Sequence, residues 1–323
     1  MPIPLASLTS DRQDARIYVA GHRGMVGSAI VRALDDQGFP EPIVFSSDEL
    51  DLRDPEGVRK MMARERPTHV FLAAAKVGGI RANAEQPADF LYDNLMIESS
   101  LIHAAHGADV EKLLFLGSSC IYPKFADQPI VEEALMTGAL EPTNAAYALA
   151  KIAGIELCNA YRKQHNAHFI SAMPTNLYGP GDNYHPTSSH VIPALIRRFH
   201  EAQMQGDEQV TCWGSGAPRR EFLHVDDLAA ACLFLMAGYD EALHLNIGTG
   251  VDLPICELAD LIARLTGFEG GILWDTAQPD GTPRKQLDCS RIHALGWHHK
   301  IELEDGLRAV ISGYQASPEL QRL

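Results

Sequence analysis

The stretch Arg16-Ile-Tyr-Val-Ala20-Gly21-His-Arg-Gly24-Met-Val-Gly27 decides the fold. Its first five residues are a short apolar run and read as a strand. Gly21, Gly24 and Gly27 follow at intervals of three. Next comes Ser28-Ala-Ile-Val-Arg-Ala-Leu-Asp-Asp-Gln-Gly38, an apolar-periodic segment that ends on glycine and reads as a helix. Glycines between a strand and a helix permit a tight turn and a close approach of the backbone. The helix start then offers free N–H groups and a positive dipole end to a pyrophosphate. A glycine-rich turn with no ligand has the same spelling, but the position directly between strand and helix favours a dinucleotide site.

Working outward, Pro42–Ser47, Thr68–Ala75, Lys112–Ser119 and His168–Met173 read as further strands. Residues 54–66, 87–106 and 143–162 read as helices between them, the last capped by Thr143 or Asn144. Strands alternating with helices make an α/β fold with a doubly wound parallel sheet of Rossmann type. After Pro174 the rhythm changes. Residues 176–189 read as a long functional loop, 190–204 as a helix, 209–213 as a strand, 224–236 as a buried helix and 243–247 as a strand. A helix over 255–266 and a strand over 271–274 follow. The expected organisation is a mobile tail at 1–14, a dinucleotide-binding domain at 15–175 to which 222–250 returns, and a smaller mixed α/β substrate lobe at 176–221 and 251–323. That lobe should cap the carboxyl edge of the sheet, where doubly wound folds bind ligands.

Composition bounds the partners. The formal net charge is −15, which argues against a general binder of nucleic acid or anionic membrane. No apolar run approaches the ~20 residues that span a bilayer. The six cysteines are scattered and there is no signal peptide, so free thiols in the cytoplasm are expected. The histidines form no H-E-x-x-H pair, His298-His299 has no partners at ligand spacing, and no metal is expected.

At the cofactor's far end, the second strand finishes Phe45-Ser46-Ser47 without the carboxylate that usually holds a ribose diol in NAD sites. Arg23 with the hydroxyls of Ser46 and Ser47 suits a 2′-phosphate, which favours NADP(H). Asp48, one residue on, could turn toward a diol, so NAD stays open. Asp51 and Leu52 could reach the adenine edge, or Asp51 could simply cap the next helix. The small residues Ala73–Ala75 fit either a cofactor lying across the sheet edge or close helix packing.

The reaction centre comes from two later segments. The fourth strand delivers Gly117-Ser-Ser-Cys-Ile-Tyr-Pro123, and the following helix carries Tyr147-Ala-Leu-Ala-Lys151. Residues four apart share a helical face, so the Lys151 ammonium should sit beside the Tyr147 phenol and lower its pKa. That would make Tyr147 a general acid or base near neutral pH. Ser118, at the carboxyl end of the strand, could hydrogen-bond a substrate carbonyl and share its proton with Tyr147. A core tyrosine with a solvated lysine is the plain alternative. The strand-end serine makes it less attractive.

The glycine turn, the strand-end serine and Tyr-x-x-x-Lys resemble the extended short-chain dehydrogenase/reductase family, in its nucleotide-sugar branch. The likeness continues through Ala73-Ala-Ala-Lys-Val-Gly-Gly-Ile80, Leu116-Gly-Ser-Ser-Cys-Ile-Tyr-Pro-Lys124, Pro174-Thr-Asn-Leu-Tyr-Gly179, Ser189-His-Val-Ile-Pro-Ala194 and Arg220-Glu-Phe-Leu-His-Val-Asp-Asp227. It runs from about residue 16 to 314. The resemblance implies an oxidoreductase that is also an epimerase. Its substrate would be GDP-4-keto-6-deoxy-D-mannose, inverted at C3 and C5 and then reduced at C4 by NADPH. It implies that Gly21, His22, Arg23, Gly24, Met25, Val26 and Gly27, with Leu116, Gly117, Ser118, Tyr147, Lys151, Pro174, Thr175, Asn176, Leu177 and His190, line the cofactor. It implies Cys120 and His190 as the base and acid of epimerisation, where by themselves they would read as an inert thiol and a solvent-facing helix start. Arg198, Trp213, Arg220 and Asp280 would hold the GDP-sugar, the arginines on the diphosphate. One departure is Ser47, near which the family often carries a second arginine for the 2′-phosphate. Related proteins pair their long helices across a two-fold axis, so a homodimer through 87–106 and 145–162 is expected. Two alternatives stay open: another nucleotide-sugar epimerase or dehydratase with tightly held NAD, and a non-catalytic NADP sensor.

Overall fold

The computed structural model describes residues 15–278 and 280–322. The expected tail at 1–14 lies outside the described residues. β1 (Ile17–Ala20) is wholly buried and runs through the glycine turn into α1 (Met25–Asp36). α2 (Pro55–Glu65) starts on Asp54, whose side chain accepts from Glu56 N, and stops at Arg66 in the left-handed region. β2 (His69–Leu72), the short α3 (Ile80–Glu85), α4 (Pro87–Gly107) and β3 (Lys112–Leu116) follow. After a long loop, α5 (Ala145–His165) ends on Asn166, also left-handed, and β4 (Phe169–Pro174) completes the regular part.

The main sheet is parallel, in the order β1-β2-β3-β4-β8, with β8 (Leu245–Ile247) arriving late in the chain. α4 packs on α2 and α5 on one face, and α1 packs on α7 (Val225–Gly238) on the other, the two-sided cover that a parallel sheet requires. The second predicted strand is reduced: only Ile43 bridges, to Tyr18 of β1, through two backbone hydrogen bonds. It still fixes the reversal of strand order at β1, where a doubly wound sheet opens a ligand crevice.

Smaller sheets form the remainder. β5 (Asn176–Tyr178), inside the segment expected to be loop, pairs with β7 (Arg219–His224), which also pairs with β9 (Asp252–Pro254) and β11 (Arg284–Lys285). β6 (Gln209–Trp213) pairs with β10 (Gly271–Asp275). α6 (Val191–Gln205), α8 (Ile255–Thr266) and α10 (Leu303–Ala316) pack around them, while α9 (Ser290–Ala294) contacts β8. Buried apolar side chains divide into two clusters. One lies around the main sheet. The other holds Ile196, Phe199, Leu258, Ile262 and Val310. Leu287, Cys289, Ile292 and Trp297 belong to the first cluster, although their segment was expected in the substrate lobe. Their placement follows Glu221, a fully buried carboxylate. It accepts from Leu287 N at 2.8 Å, Thr249 N at 2.6 Å and Gly250 N at 2.8 Å, pinning two separate segments to β7.

Candidate active site

The glycine turn meets two different demands. Gly21 has φ +86°, and a Cβ there would lie 2.8 Å from the Ala74 backbone; at Gly27 it would lie 2.1 Å from the Gly21 carbonyl oxygen. The protein's own packing dictates both. Gly24 is different. A Cβ would meet nothing nearer than the Gly21 oxygen at 3.4 Å, and the residue is exposed. It is also the N-cap of α1, with no side-chain cap and no acid in the first turn. The N–H groups of Met25, Val26 and Gly27 therefore open onto a free space, the arrangement that suits a phosphate. The half-exposed Ala73–Ala75 leave that edge of the sheet low.

At the far end the structure adds a carboxylate. The strand end itself has no acid, as read, but the chain folds back so that Glu49 Oε2 accepts from Ser46 N at 2.8 Å and Ser46 Oγ at 2.7 Å. Those bonds, with the charges of Arg23 and His22, hold the Glu49 carboxyl below its ordinary range. Ser46 is buried and engaged, while Arg23 and Ser47 remain exposed. Asp51 does not point freely toward an adenine: both its oxygens accept from Arg53, at 3.0 and 2.9 Å. Arg53 also binds Asp93, which reaches Lys76 at 3.0 Å. Leu52 packs against the first cluster.

Nearer the reaction centre, Gly117 leaves room for the end of the Met173 side chain, whose Sδ would lie 2.3 Å from a Cβ there. Pro174 ends β4 beside Ile247 of β8. Thr175 N donates to the Ile247 carbonyl at 2.9 Å, and Asn176 Nδ2 to the Glu221 carbonyl at 2.7 Å. Leu177 is half-buried against the main-sheet cluster.

Ser118 Oγ caps a single turn at 119–121 and accepts from Cys120 N at 3.4 Å. Ser118 stands close enough to the Tyr147 phenol and the Cys120 thiol to lower the pKa of each, so one hydroxyl lies beside both groups. The expected electrostatics of Tyr147 are reversed. Burial raises its pKa well above the ordinary value, the neighbouring Cys120 and Glu98 push the same way, and the Ser118 hydroxyl opposes them. Lys151 does not offset this burial, because it is itself buried and committed elsewhere. Its Nζ donates to the Leu116 carbonyl at 3.0 Å and lies 2.8 Å from Glu98 Oε1. Tyr147 is thus a neutral phenol, suited to donating a proton. Phe90 of α4 meets its ring edge-on at 6.4 Å.

On the other side of Ser118, burial pushes the Cys120 thiol up, against the Ser118 hydroxyl and the charges of Lys285 and Lys151. Lys285, which the sequence reading passed over, lines a small cavity with Ser119, Cys120, Glu141 and Asn144. Burial, then the neighbouring Arg220, bring its ammonium down to about 8. His190 is the N-cap of α6. Surrounding protein, then the Lys285 charge, lower its pKa; solvent reaches the residue, so its position carries more weight than the shift. Lys285 is the cation common to Cys120 and His190.

Of the residues expected to hold a nucleotide, Trp213 ends β6 and Arg220 lies on β7, while Arg198 is on α6 and Asp280 precedes β11. Arg198 donates to the Thr211 carbonyl at 3.3 Å and lies over the Trp213 ring at 5.5 Å, which leaves Trp213 prominent and 55% exposed. Arg220 pairs in register with Lys285 across β7 and β11, placing two cations side by side. Asp280 is engaged differently than expected: its oxygens accept from Ser215 N at 2.7 Å and Ser215 Oγ at 2.8 Å, closing the loop after β6.

Comparison with known proteins agrees with this geometry. The model of the "NAD dependent epimerase/dehydratase family" matches residues 17–248. GDP-L-fucose synthase 1 of Arabidopsis thaliana is 57% identical over 308 residues, covering 95% of each chain. GDP-L-fucose synthase of Escherichia coli K12 is 57% identical over 301 residues, covering 90% of this chain and 94% of that one. A GDP-L-fucose synthetase from Naegleria fowleri, solved bound to NADP, superposes with a TM-score of 0.88 at 26% identity, over 96% of this chain and 97% of that one.

The chain belongs to the NAD dependent epimerase/dehydratase family.

Within that family frame, three residues were not found by reading the sequence. Glu98 lies in the middle of α4 and reads as a solvated helix acid. Its burial follows only from α4 packing on α5. Lys285 sits on a two-residue strand with no periodicity to announce it. Glu49 comes after Ser47 and Asp48, past the point where a strand-end acid would be sought.

Proposed function

We propose that this protein is a GDP-L-fucose synthase. It converts GDP-4-keto-6-deoxy-D-mannose to GDP-L-fucose by epimerisation at C3 and C5 and NADPH-dependent reduction at C4. The observation that carries the reading is the Ser118 hydroxyl standing beside both Tyr147 and Cys120, in a chain 57% identical over nearly its full length to GDP-L-fucose synthases. A ketone reductase needs the serine, tyrosine and lysine. A 3,5-epimerase needs in addition a base and an acid beside the same carbonyl.

The C4 carbonyl acidifies the protons on C3 and C5. Ser118 donates to that carbonyl oxygen and stabilises the enolate that forms when a proton leaves. Cys120 removes the proton, with Lys285 favouring its thiolate, and His190 returns one from the opposite face. NADPH, when bound, supplies the hydride to C4. Tyr147 gives the proton that completes the alcohol, consistent with its strongly raised pKa. The uncapped first turn of α1 holds the pyrophosphate and Arg23 faces the 2′-phosphate. Arg198 and Arg220 take the substrate diphosphate, and Trp213 offers a face to its base. We further infer a homodimer through α4 and α5, whose exposed Tyr92 and Leu149 (62% and 51% accessible) would be covered, in the cytoplasm. Among the described residues no helix is long and apolar enough to cross a membrane.

Purified protein with GDP-4-keto-6-deoxymannose and NADPH should consume the reduced cofactor and yield GDP-L-fucose. Failure with this sugar, or consumption only with another nucleotide sugar, overturns the reading. Sedimentation at micromolar concentration tests the dimer.

A further inference from the structure

Behind the proton donor lies a second buried charge. Glu98 and Lys151 are each 2% exposed, with Lys151 Nζ 2.8 Å from Glu98 Oε1. No other hydrogen-bond donor among the described residues reaches either Glu98 oxygen, so the lysine is its only compensation. The space for the pair is kept open by Gly154 of α5. A Cβ there would lie 2.9 Å from Glu98 Oε2 and 2.4 Å from the Phe115 ring. The Phe115 ring in turn lies 4.8 Å from Lys151 Nζ, and the Tyr147 ring 5.9 Å from it. Two helices and a strand have thus built a sealed compartment for one carboxyl and one ammonium group, one turn from the phenol; burial raises the Glu98 pKa and the Lys151 charge opposes that rise.

A buried carboxylate facing a buried lysine is costly unless the pair is worth having. Replaced by apolar groups of similar volume, such a pair generally costs the fold little. Stability therefore gives a weak reason for Glu98, and its place beside the donor gives a better one. The charged and titratable groups facing Lys151 are Glu98 from α4, Tyr147 from its own helix and Cys120 from the loop after β3; Cys158 of α5 feels Glu98 from behind. Of these, Glu98 is the carboxylate.

We propose that Glu98 is a positioning residue for ketone reduction, fixing the Lys151 ammonium at the back of the site and keeping the Tyr147 phenol in its proton-donating form. Its negative charge does both. It attracts and orients the ammonium, and it opposes formation of a phenolate nearby. Remove the charge and the unpaired buried ammonium sheds its proton more readily, so the cation beside the phenol is lost at lower pH. The proposal rests on the reductase reading for its consequence, but not for the titration itself.

The first test therefore needs neither substrate nor cofactor. In protein labelled with 15N-lysine, the Lys151 Nζ resonance is assigned by its disappearance in Lys151→Met and titrated in wild type and in Glu98→Gln. The expected result is loss of the ammonium form at lower pH in the variant by a unit or more. An unchanged titration overturns the proposal whatever the enzyme's substrate. The second test follows NADPH oxidation against pH. In Glu98→Gln the alkaline limb should move down by the same amount as the Lys151 titration, with little loss at pH 6 and unchanged KM for the sugar. A uniform loss at every pH would assign Glu98 to folding alone. Glu98→Asp, which keeps the charge and shortens its reach, should restore most of the alkaline limb. If Glu98→Gln does not fold, a wild-type alkaline limb in Glu98→Asp supports the proposal, and a limb displaced as far as in Lys151→Met overturns it. A wild type that turns over no GDP-sugar defeats the functional reading while leaving the Lys151 titration to decide this one.

Discussion

The two sides of Ser118 are built in opposite ways. On the proposed function, the reducing side takes Glu98, Ser118, Tyr147 and Lys151 from two packed helices and one strand end, all within the first half of the chain, and its ion pair is sealed. The epimerising side takes Cys120, His190, Arg220 and Lys285 from four separate segments, and solvent reaches His190. Its cations depend on Glu221, which stitches β7 to residues 249–250 and 287. Proton donation to an alkoxide needs one fixed geometry. Inversion at two carbons needs a base and an acid that serve both, in a space that lets the sugar re-present itself. A rigid side and an assembled side are physically suited to those tasks.

The comparison breaks most sharply where each side loses its reacting group. Tyr147→Phe should lower NADPH oxidation by about 10²–10⁴-fold, the usual worth of a positioned general acid, while solvent deuterium still enters C3 and C5. Cys120→Ser should do the converse: exchange falls by a comparable factor, yet the reverse oxidation of GDP-L-fucose, which needs no epimerisation, persists. If either variant abolishes both readouts, the two sides are not separable and the division is wrong.

Next in size is Lys285. In Lys285→Met exchange should fall on the order of tenfold, one pKa unit at the Cys120 thiol being worth about 1.4 kcal/mol, with reverse oxidation little changed. Because the Lys285 ammonium is depressed to about 8, its charge is present below that pH and lost above it. Exchange should therefore have an alkaline limb near 8, and Lys285→Arg, which stays charged, should remove that limb. Alkylation of Cys120 by iodoacetamide across pH would report the thiol directly. Glu221→Gln should leave both chemistries recognisable but cost roughly 2–4 kcal/mol in denaturant unfolding, because an amide cannot satisfy three backbone N–H groups as a carboxylate does.

Legibility followed the same division. The helices and strands of the first half announced themselves by period and glycine, and Tyr147, Lys151 and Ser118 could be placed from spacing alone. What spacing could not give was the sign of the Tyr147 shift. Four-residue spacing says that Lys151 is near; only the packing of α4 on α5 reveals that Glu98 has drawn it away. Cys120 and His190 entered through family resemblance, since a thiol and a helix-capping histidine carry no pattern of their own. Lys285 shows the limit most plainly. Its role depends on β11 pairing with β7, a contact of two residues between segments some sixty positions apart, which no local period encodes. Short sheets closed by a buried carboxylate are set by tertiary packing, whereas β1, β2 and β3 are set by their own hydrophobicity.

The smallest expected effect lies at the end of the cofactor farthest from the chemistry, and it concerns a mixed signal. Arg23 presents a cation for the 2′-phosphate, but Glu49 sits beside it with its carboxyl held ionised by Ser46. The second arginine that the family resemblance implies near Ser47 is absent, and this chain places an anion two residues on. The anion should repel a 2′-phosphate, and it occupies the Ser46 hydroxyl that might otherwise bind one. Glu49→Gln should then lower KM for NADPH a few-fold, leaving kcat, solvent exchange and KM for the sugar alone. The effect should shrink as ionic strength rises, since both charges are near solvent. An NADPH KM that rises instead would mean that Glu49 serves the site by holding Ser46 in place. In that case Glu49→Asp, with the charge kept and the reach lost, would raise KM as well.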